Sequence, residues 1–495
     1  MSRGAADKLT GRSGSAAGLR GDVLASVGWV AGSRMAGQAF TWVVTLVVIR
    51  LLDPADYGLM ALATMLISFM LLLSELGLGP AMIQAREIRC DQLPDIFGTT
   101  LLFNAFLTAL TWATAPLVAS FFDEPALVDV LRVLALQFLL LAFTLMPEAL
   151  LQRGMEFRSW SLGSLGARVT GSLATLVLAW YGFGVWSLVW GNLLTFVTRA
   201  AVVNWLVPCL FLPRLRPKRI IDMLRFGGHV TATRVLSFAY QHADYLIVGK
   251  LLGKDALGFY SVSYQLAAMP MQRLASIVNR VALPAFARVQ TEPSLAGRHY
   301  LKAVRLVSLF GVPVMWGISS VTPEAVPLIL GARWETAQVP LQIICLVIPL
   351  RMTSNLLAPA LQGLGRSDVG LYNMLRVFCT MVIAFLVGAQ WGIVGVAMAW
   401  ALAWPSVYLF NLGRSLPRMQ LRRRDLARNL ARPWLAGLIL YGAVAGVRTV
   451  LPESIAPSIV LPTLILAGAL GYMTASLAFN RAGIAEAWDL LRRRR

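Results

Sequence analysis

Several arginines stand inside long apolar segments, where a residue type this costly needs a reason. Arg34 lies about ten residues into the apolar stretch 24–49, about 15 Å from its start at 1.5 Å per residue. Arg234 sits similarly in 227–249, and Arg168 and Arg376 lie seven or eight residues inside 160–181 and 369–389. Arg273, Arg305 and Arg351 fall in later apolar stretches without a counterpart earlier in the chain, and Arg132 and Arg199 are the reverse. An ionisable group at mid-membrane costs roughly 2.5–3.5 kcal/mol on insertion scales and is a functional candidate by default. The acids available to neutralise them are few: Glu75, Glu148 and Asp244. One chemistry fits this excess, a cationic cavity for an anionic ligand, because the planar guanidinium fork matches phosphate. Its alternative is structural, with the arginines bonded to backbone carbonyls or to those few acids. Arg34, Arg234, Arg168, Arg376 and Arg273 are the candidate ligand contacts. Asp244, beside His242 and Gln241, is a candidate site for a coupling Na+ or H+, or else the partner of Arg234 or of an arginine on another helix.

Those segments need helices to carry them. The 495 residues are 57% hydrophobic and only 14% charged, with a mean hydropathy of +0.68. In lipid every backbone polar group must be satisfied internally, and runs of about 20 apolar residues without alternation form helices rather than barrel strands. The chain is therefore expected to be an all-α polytopic membrane protein. Its net charge of +20 fits basic loops facing anionic membrane lipid. No nucleic-acid motif accompanies it, so no nucleic-acid partner is expected. Cys90, Cys209, Cys345 and Cys379, and His229, His242 and His299, have no metal-ligand spacing. No nucleotide-binding loop or catalytic triad pattern is present, and no cofactor is expected.

About fourteen spans can be laid out: 24–49, 57–76, 95–120, 126–147, 160–181, 184–208, 227–249, 256–280, 301–321, 338–362, 369–389, 392–412, 433–451 and 457–479. The connections alternate between basic ones and short acidic or neutral ones such as Asp123-Glu124-Pro125. The positive-inside rule then puts both termini in the cytoplasm. The layout implies a cytoplasmic tail (1–22), an N-lobe of six spans (23–210), a basic linker (211–225), a C-lobe of six spans (226–413), a basic loop (414–432), two further helices (433–480) and a basic tail (481–495). No connection is long enough for a soluble domain.

The two lobes are expected because the sequence repeats. Arg34, Arg50, the Leu51-Leu52 pair and Gly58 meet Arg234, Lys250, Leu251-Leu252 and Gly258 at a constant offset of 200. Later, Arg168-Val169 meets Arg376-Val377 and Tyr181-Gly182 meets Trp391-Gly392. Six spans per repeat make the halves parallel, related by an axis along the membrane normal. The turn after each copy, ending at Gly58 and Gly258, is read as an element that closes the lobe.

The run Arg50-Leu51-Leu52-Asp53-Pro54-Ala55-Asp56-Tyr57-Gly58-Leu59 resembles a signature of the bacterial polysaccharide exporters. So do Gly77-Leu78-Gly79, Tyr181-Gly182-Phe183-Gly184-Val185-Trp186, Leu257-Gly258-Phe259-Tyr260-Ser261 and Leu330-Gly331-Ala332-Arg333-Trp334. These exporters belong to the multidrug/oligosaccharidyl-lipid/polysaccharide (MOP) superfamily of flippases. The resemblance implies a V-shaped pair of six-helix lobes in the bacterial inner membrane, with a polyprenyl-diphosphate-linked oligosaccharide as substrate. Ser33-Arg34 resembles a Ser-Arg in the first helix of the related peptidoglycan-precursor flippase, whose cavity arginines meet the substrate diphosphate. Some relatives hold sodium on helices 7, 11 and 12, where this chain has Asp244 and, less well matched in depth, Asn373. A polysaccharide polymerase and co-polymerase are candidate partners. A multidrug or cation antiporter and a membrane polymerase of lipid-linked sugars are the rival functions.

Overall fold

The computed structural model describes residues 37–74, 82, 92–154, 156–208, 211–214, 238–270, 292–452, 454–481 and 483. Among them there is no strand. The helices are α1 (Gly37–Leu51), α2 (Pro54–Ser74), α3 (Leu93–Phe122), α4 (Leu127–Arg153), α5 (Phe157–Trp180) and α6 (Val185–Leu206). Residues 238–270 are helical as well, and the left-handed Gly253 (φ +83°) separates α7 before it from α8 after it. There follow α9 (Pro293–Ile329), α10 (Gln338–Ser354), α11 (Leu357–Gly363), α12 (Ser367–Gly388), α13 (Gly392–Ser415), α14 (Arg423–Val450) and α15 (Pro457–Phe479). Ten helices among the described residues are long and apolar enough to cross a membrane. Exposed side chains such as Leu117, Ile383, Leu466 and Leu470 give them apolar outer surfaces. The protein is a multi-pass helical membrane protein.

Three of the expected spans differ clearly from the helices observed. α9 runs through Pro313, Pro323 and Pro327 to Ile329, past the expected end at 321. Proline is tolerated in membrane helices because neighbouring groups satisfy the freed carbonyls. The expected span 338–362 breaks at Asn355 into α10 and α11. α14 begins at Arg423, ten residues before the expected 433, so the end of the basic loop is helical.

The chain divides into two compact units, Met1–Asp255 and Ala256–Arg495. In the first, α3 pairs with α4 and α5 with α6, while α6 and α2 pack on α4. Met82, Leu93, Ile96, Phe97, Leu145, Met146 and Val207 form a buried apolar cluster at one end. α7 belongs to this unit: Lys250 donates to Asp123 at 2.9 Å and Lys254 to Glu124 at 2.8 Å. The Glu124 carboxylate raises the Lys254 ammonium above its ordinary value.

Two of the quoted motifs meet at a turn of this unit. The Asp56 carboxylate accepts from the Val185 N–H at 2.9 Å and from the Asp53 N–H at 3.3 Å. It thereby caps α6 from another helix, satisfying one donor that the helix start leaves open. Gly184 (φ +54°) makes the approach possible, since a Cβ there would stand 3.1 Å from Asp56 Oδ1. Asp56→Ala is expected to cost about 1 kcal/mol, read as a lower melting temperature in detergent. Asp56→Asn, which keeps an acceptor, should lose less.

The second unit is built on α9. α10, α14 and α15 pack against it. Trp316 of α9 meets Trp434 (5.4 Å) and Tyr441 (6.1 Å) of α14 edge-on. Tyr472 of α15 donates to the Leu309 carbonyl at 2.9 Å. Two further quoted motifs meet here, where Phe259 packs edge-on to the fully buried Trp334 at 5.8 Å.

Candidate functional site

The α5–α6 hairpin positions the site. Its helices approach through small residues, as membrane helices do when packing rather than hydrophobicity drives association. A Cβ on Gly171 would stand 2.7 Å from the Gly191 carbonyl oxygen, and one on Gly191 would stand 2.9 Å from Thr175 Cβ. The threonines return their hydroxyls to their own helices, Thr175 to Gly171 at 3.0 Å and Thr195 to Gly191 at 2.9 Å. Four residues on two helices thus make a reciprocal contact. Gly163 likewise packs against Val202, where a Cβ would stand 2.8 Å from Cγ1, while Gly166 faces open space. Gly191→Val is expected to force the hairpin apart at about 1–3 kcal/mol, visible as reduced folded yield and a lower melting temperature.

Beside this contact lies a cavity of about 100 Å³, walled by Gly37 of α1, by Trp160, Ser161, Ser164 and Arg168 of α5, and by Thr195 and Arg199 of α6. Arg199 is held by Glu148 of α4. Its Nε donates to Oε1 and its Nη2 to Oε2, the latter at 2.6 Å. The carboxylate is nearly buried, at 12% exposed, and the arginine side chain is 34% exposed. Charge-assisted forks of this kind are the strong hydrogen bonds of proteins. Asn204, one turn further along α6, donates to the Phe143 carbonyl of α4 at 2.8 Å. The pair therefore sits in a framework that ties α6 to α4 at two levels. Arg168 is exposed and lines the same cavity. Two guanidinia and three hydroxyls around a space this size can hold a phosphate-sized anion, but not a sugar chain.

The other sequence candidates are distributed differently. Arg34, Arg234 and Arg273 lie outside the described residues. Arg376, the repeat partner of Arg168, sits in the second unit and donates to Asn411 Oδ1 at 2.6 Å. Asn411 in turn donates to the Asn373 carbonyl, and Asn373 to Ser415 at 3.1 Å. Arg376 also lies 4.7 Å from the Phe410 ring centroid. Its guanidinium links α12 to α13. Asp244 is buried on α7 and accepts from the Tyr245 N–H at 2.9 Å. His242 stacks on Phe238 with centroids 4.1 Å apart. Among the described residues no group of three or more His, Cys, Asp or Glu could hold a metal ion.

Three cations of the second unit have internal partners. Arg351 lies 3.9 Å over Trp400 and donates to Tyr264 at 3.1 Å. Arg305 donates to Asn429 at 2.7 Å. Arg448 forks onto Glu324 at 2.6 and 2.9 Å. The sequence reading did not single out Arg448 and Glu324. Their signal was a cation and an acid at matching ends of two apolar stretches.

Ten long apolar helices among the described residues, with arginines within several of them, define a multi-pass helical membrane protein. The family follows from comparison: residues 47–339 match the polysaccharide biosynthesis protein family, and the chain belongs to it. It is 24% identical over 359 residues to the lipopolysaccharide biosynthesis protein WzxC of Escherichia coli (strain K12), covering 72% of this chain and 73% of that one. It is 23% identical over 382 residues to the succinoglycan biosynthesis transport protein ExoT of Rhizobium meliloti (strain 1021), covering 76% of each. Its fold is similar to that of the lipid II flippase MurJ in an inward closed conformation, with a TM-score of 0.74 at 14% identity over 92% of this chain and 99% of that one. An inward-facing multidrug-resistance transporter of the MOP superfamily is a more distant match in fold, at TM-score 0.55 and 16% identity over 77% of this chain and 96% of that one. The resemblance to the polysaccharide exporters of that superfamily therefore stands.

Proposed function

We propose that this protein is a flippase. It carries a polyprenyl-diphosphate-linked oligosaccharide repeat unit across the bacterial inner membrane for polysaccharide synthesis. The observation that carries the reading is the cavity of the first unit, where Arg168 and Arg199 stand among hydroxyls inside apolar helices. The names of the relatives, a succinoglycan transport protein and a lipid II flippase in fold, support the substrate class. A diphosphate needs cations wherever it leaves water, because Coulomb attraction strengthens as the local dielectric falls. Arg199 has its charge offset by Glu148, and Arg168 adds a second guanidinium to the cavity wall. Arg34, Arg234, Arg273 and Arg376 are the further candidate contacts for the diphosphate.

In this reading the complete chain has about fourteen spans, six in each repeat and two added, with both termini cytoplasmic. Transport is a conformational cycle that makes and breaks no covalent bond, so the protein is not an enzyme. Asp244 is the candidate for coupling to Na+ or H+. A polymerase and co-polymerase receive the unit on the far side. A cation antiporter of the same fold is disfavoured by the arginines, which repel a cationic solute.

A strain lacking the gene tests this. It is expected to keep its lipid-linked units in the cytoplasmic leaflet and to regain polymer when the gene is restored. Unpolymerised units gathering on the outer leaflet of the deletion strain would instead identify a polymerase.

A further inference from the structure

The basic opening of α14 is built against its own helix. Arg424, Arg428 and Arg432 follow at four-residue intervals and are all exposed. They form one stripe about 12 Å long. Like charges at this spacing repel, and cations near a helix N-terminus oppose the helix dipole. Asp425 is the single acid of the first turn. Its carboxylate is committed to the helix start, accepting from the Arg422 N–H at 3.0 Å. None of the three arginines has a hydrogen-bond or ion-pair partner among the described residues. The helix nonetheless forms, and an anion seated along the stripe would balance these charges.

The same side of α14 says what brings that anion. One turn beyond Arg432 the stripe becomes apolar, with Leu435 51%, Leu438 58% and Ile439 41% exposed. The opposite side, Pro433, Ala436, Gly437 and Leu440, is buried in the second unit, with Gly437 close to Val312 and Trp316 of α9. Three guanidinia thus lead directly into a surface suited to acyl chains. A soluble phosphate would use the first part and leave the second unused. A phospholipid with a net negative headgroup uses both.

We propose that the Arg424–Arg428–Arg432 stripe, with Leu435, Leu438 and Ile439, is a binding surface for anionic phospholipid. Phosphates bridge successive arginines and the acyl chains lie along the leucines. This surface is independent of the transported substrate and anchors the helix pair outside the repeat.

Full-length protein in detergent, titrated with phosphatidylglycerol or phosphatidylcholine and read by native mass spectrometry, tests it. Removing an arginine near an anionic surface should weaken binding about fivefold, so Arg424→Gln/Arg428→Gln/Arg432→Gln should weaken phosphatidylglycerol binding by on the order of a hundredfold. A triple of equal charge change, Arg298→Gln/Lys302→Gln/Arg366→Gln, should leave it nearly unchanged. Both triples should melt like the parent protein, and the single Arg432→Gln gives a reading if the stripe triple does not fold. Equal losses in the two triples, no loss in the stripe variants, phosphatidylcholine binding as tight as phosphatidylglycerol, or tighter binding of polyprenyl diphosphate at this stripe would each overturn the proposal.

Discussion

Arg168→Ala is expected to lower polymer export at least tenfold while the protein still inserts and folds. A hydrogen bond to a charged group contributes about 1.5–3 kcal/mol, which is roughly ten- to a hundredfold in a rate if that step limits transport. The residue is exposed and lines the cavity with Arg199, so its removal leaves no gap in a packed core. Arg168→Lys keeps the charge without the fork and should fall between the two. The same loss is expected for Arg34→Ala and Arg234→Ala. Arg376→Ala should behave differently, because Arg376 already bonds Asn411: stability should fall before transport does. Polymer output per membrane-inserted copy, measured in a complemented deletion strain, separates the two outcomes. Normal output from Arg168→Ala, Arg34→Ala and Arg234→Ala together would remove the arginines from the mechanism.

Glu148→Ala should be the most destabilising single change in the first unit. It leaves the Arg199 guanidinium beside the cavity without the carboxylate that accepts both of its donors. Breaking a buried pair from one side costs about 3–5 kcal/mol. Because Arg199 is 34% exposed, the lower end of about 3 kcal/mol applies. The double change Glu148→Leu/Arg199→Met should recover most of the loss, since replacing both charges by apolar groups leaves nothing uncompensated. Thermal unfolding of the four proteins in one detergent gives the coupling as a double-mutant cycle. Additive losses would show that the two residues do not act as a pair.

The helices were legible in the sequence because lipid imposes their length and closes off strands. Each of the helices α1 to α15 overlaps an expected span. The ends were less legible. Pro323 and Pro327 read as a connection, yet α9 carries them, and the arginines after 422 read as loop although α14 begins among them. Local composition misleads at such points because neighbouring helices, absent from any local window, satisfy the backbone.

The site was legible by residue type and not by pairing. Arg168 stood out from depth and repeat symmetry. Arg199 ranked lower, and Glu148 was noted only as one of few acids. Nothing in a sequence window joins two residues 51 positions apart. The repeat presents Arg168 and Arg376 as counterparts, but it says nothing of their neighbours: Asn411 accepts from Arg376, and Arg168 lines a cavity. The G-x-x-x-T pair of α5 and α6 passed unnoticed because each copy alone is unremarkable; its meaning comes from the partner helix.

Purified protein reconstituted into liposomes that hold a polyprenyl-diphosphate-linked oligosaccharide in one leaflet puts the central claim to its most direct test. Accessibility of the sugar on the opposite side, read with a membrane-impermeant glycan-modifying enzyme, gives the rate of translocation. The expected result is transfer that requires the protein and drops at least tenfold with Arg168→Ala. Transfer no faster than in protein-free liposomes, alongside uptake of organic cations by the same preparation, would contradict it.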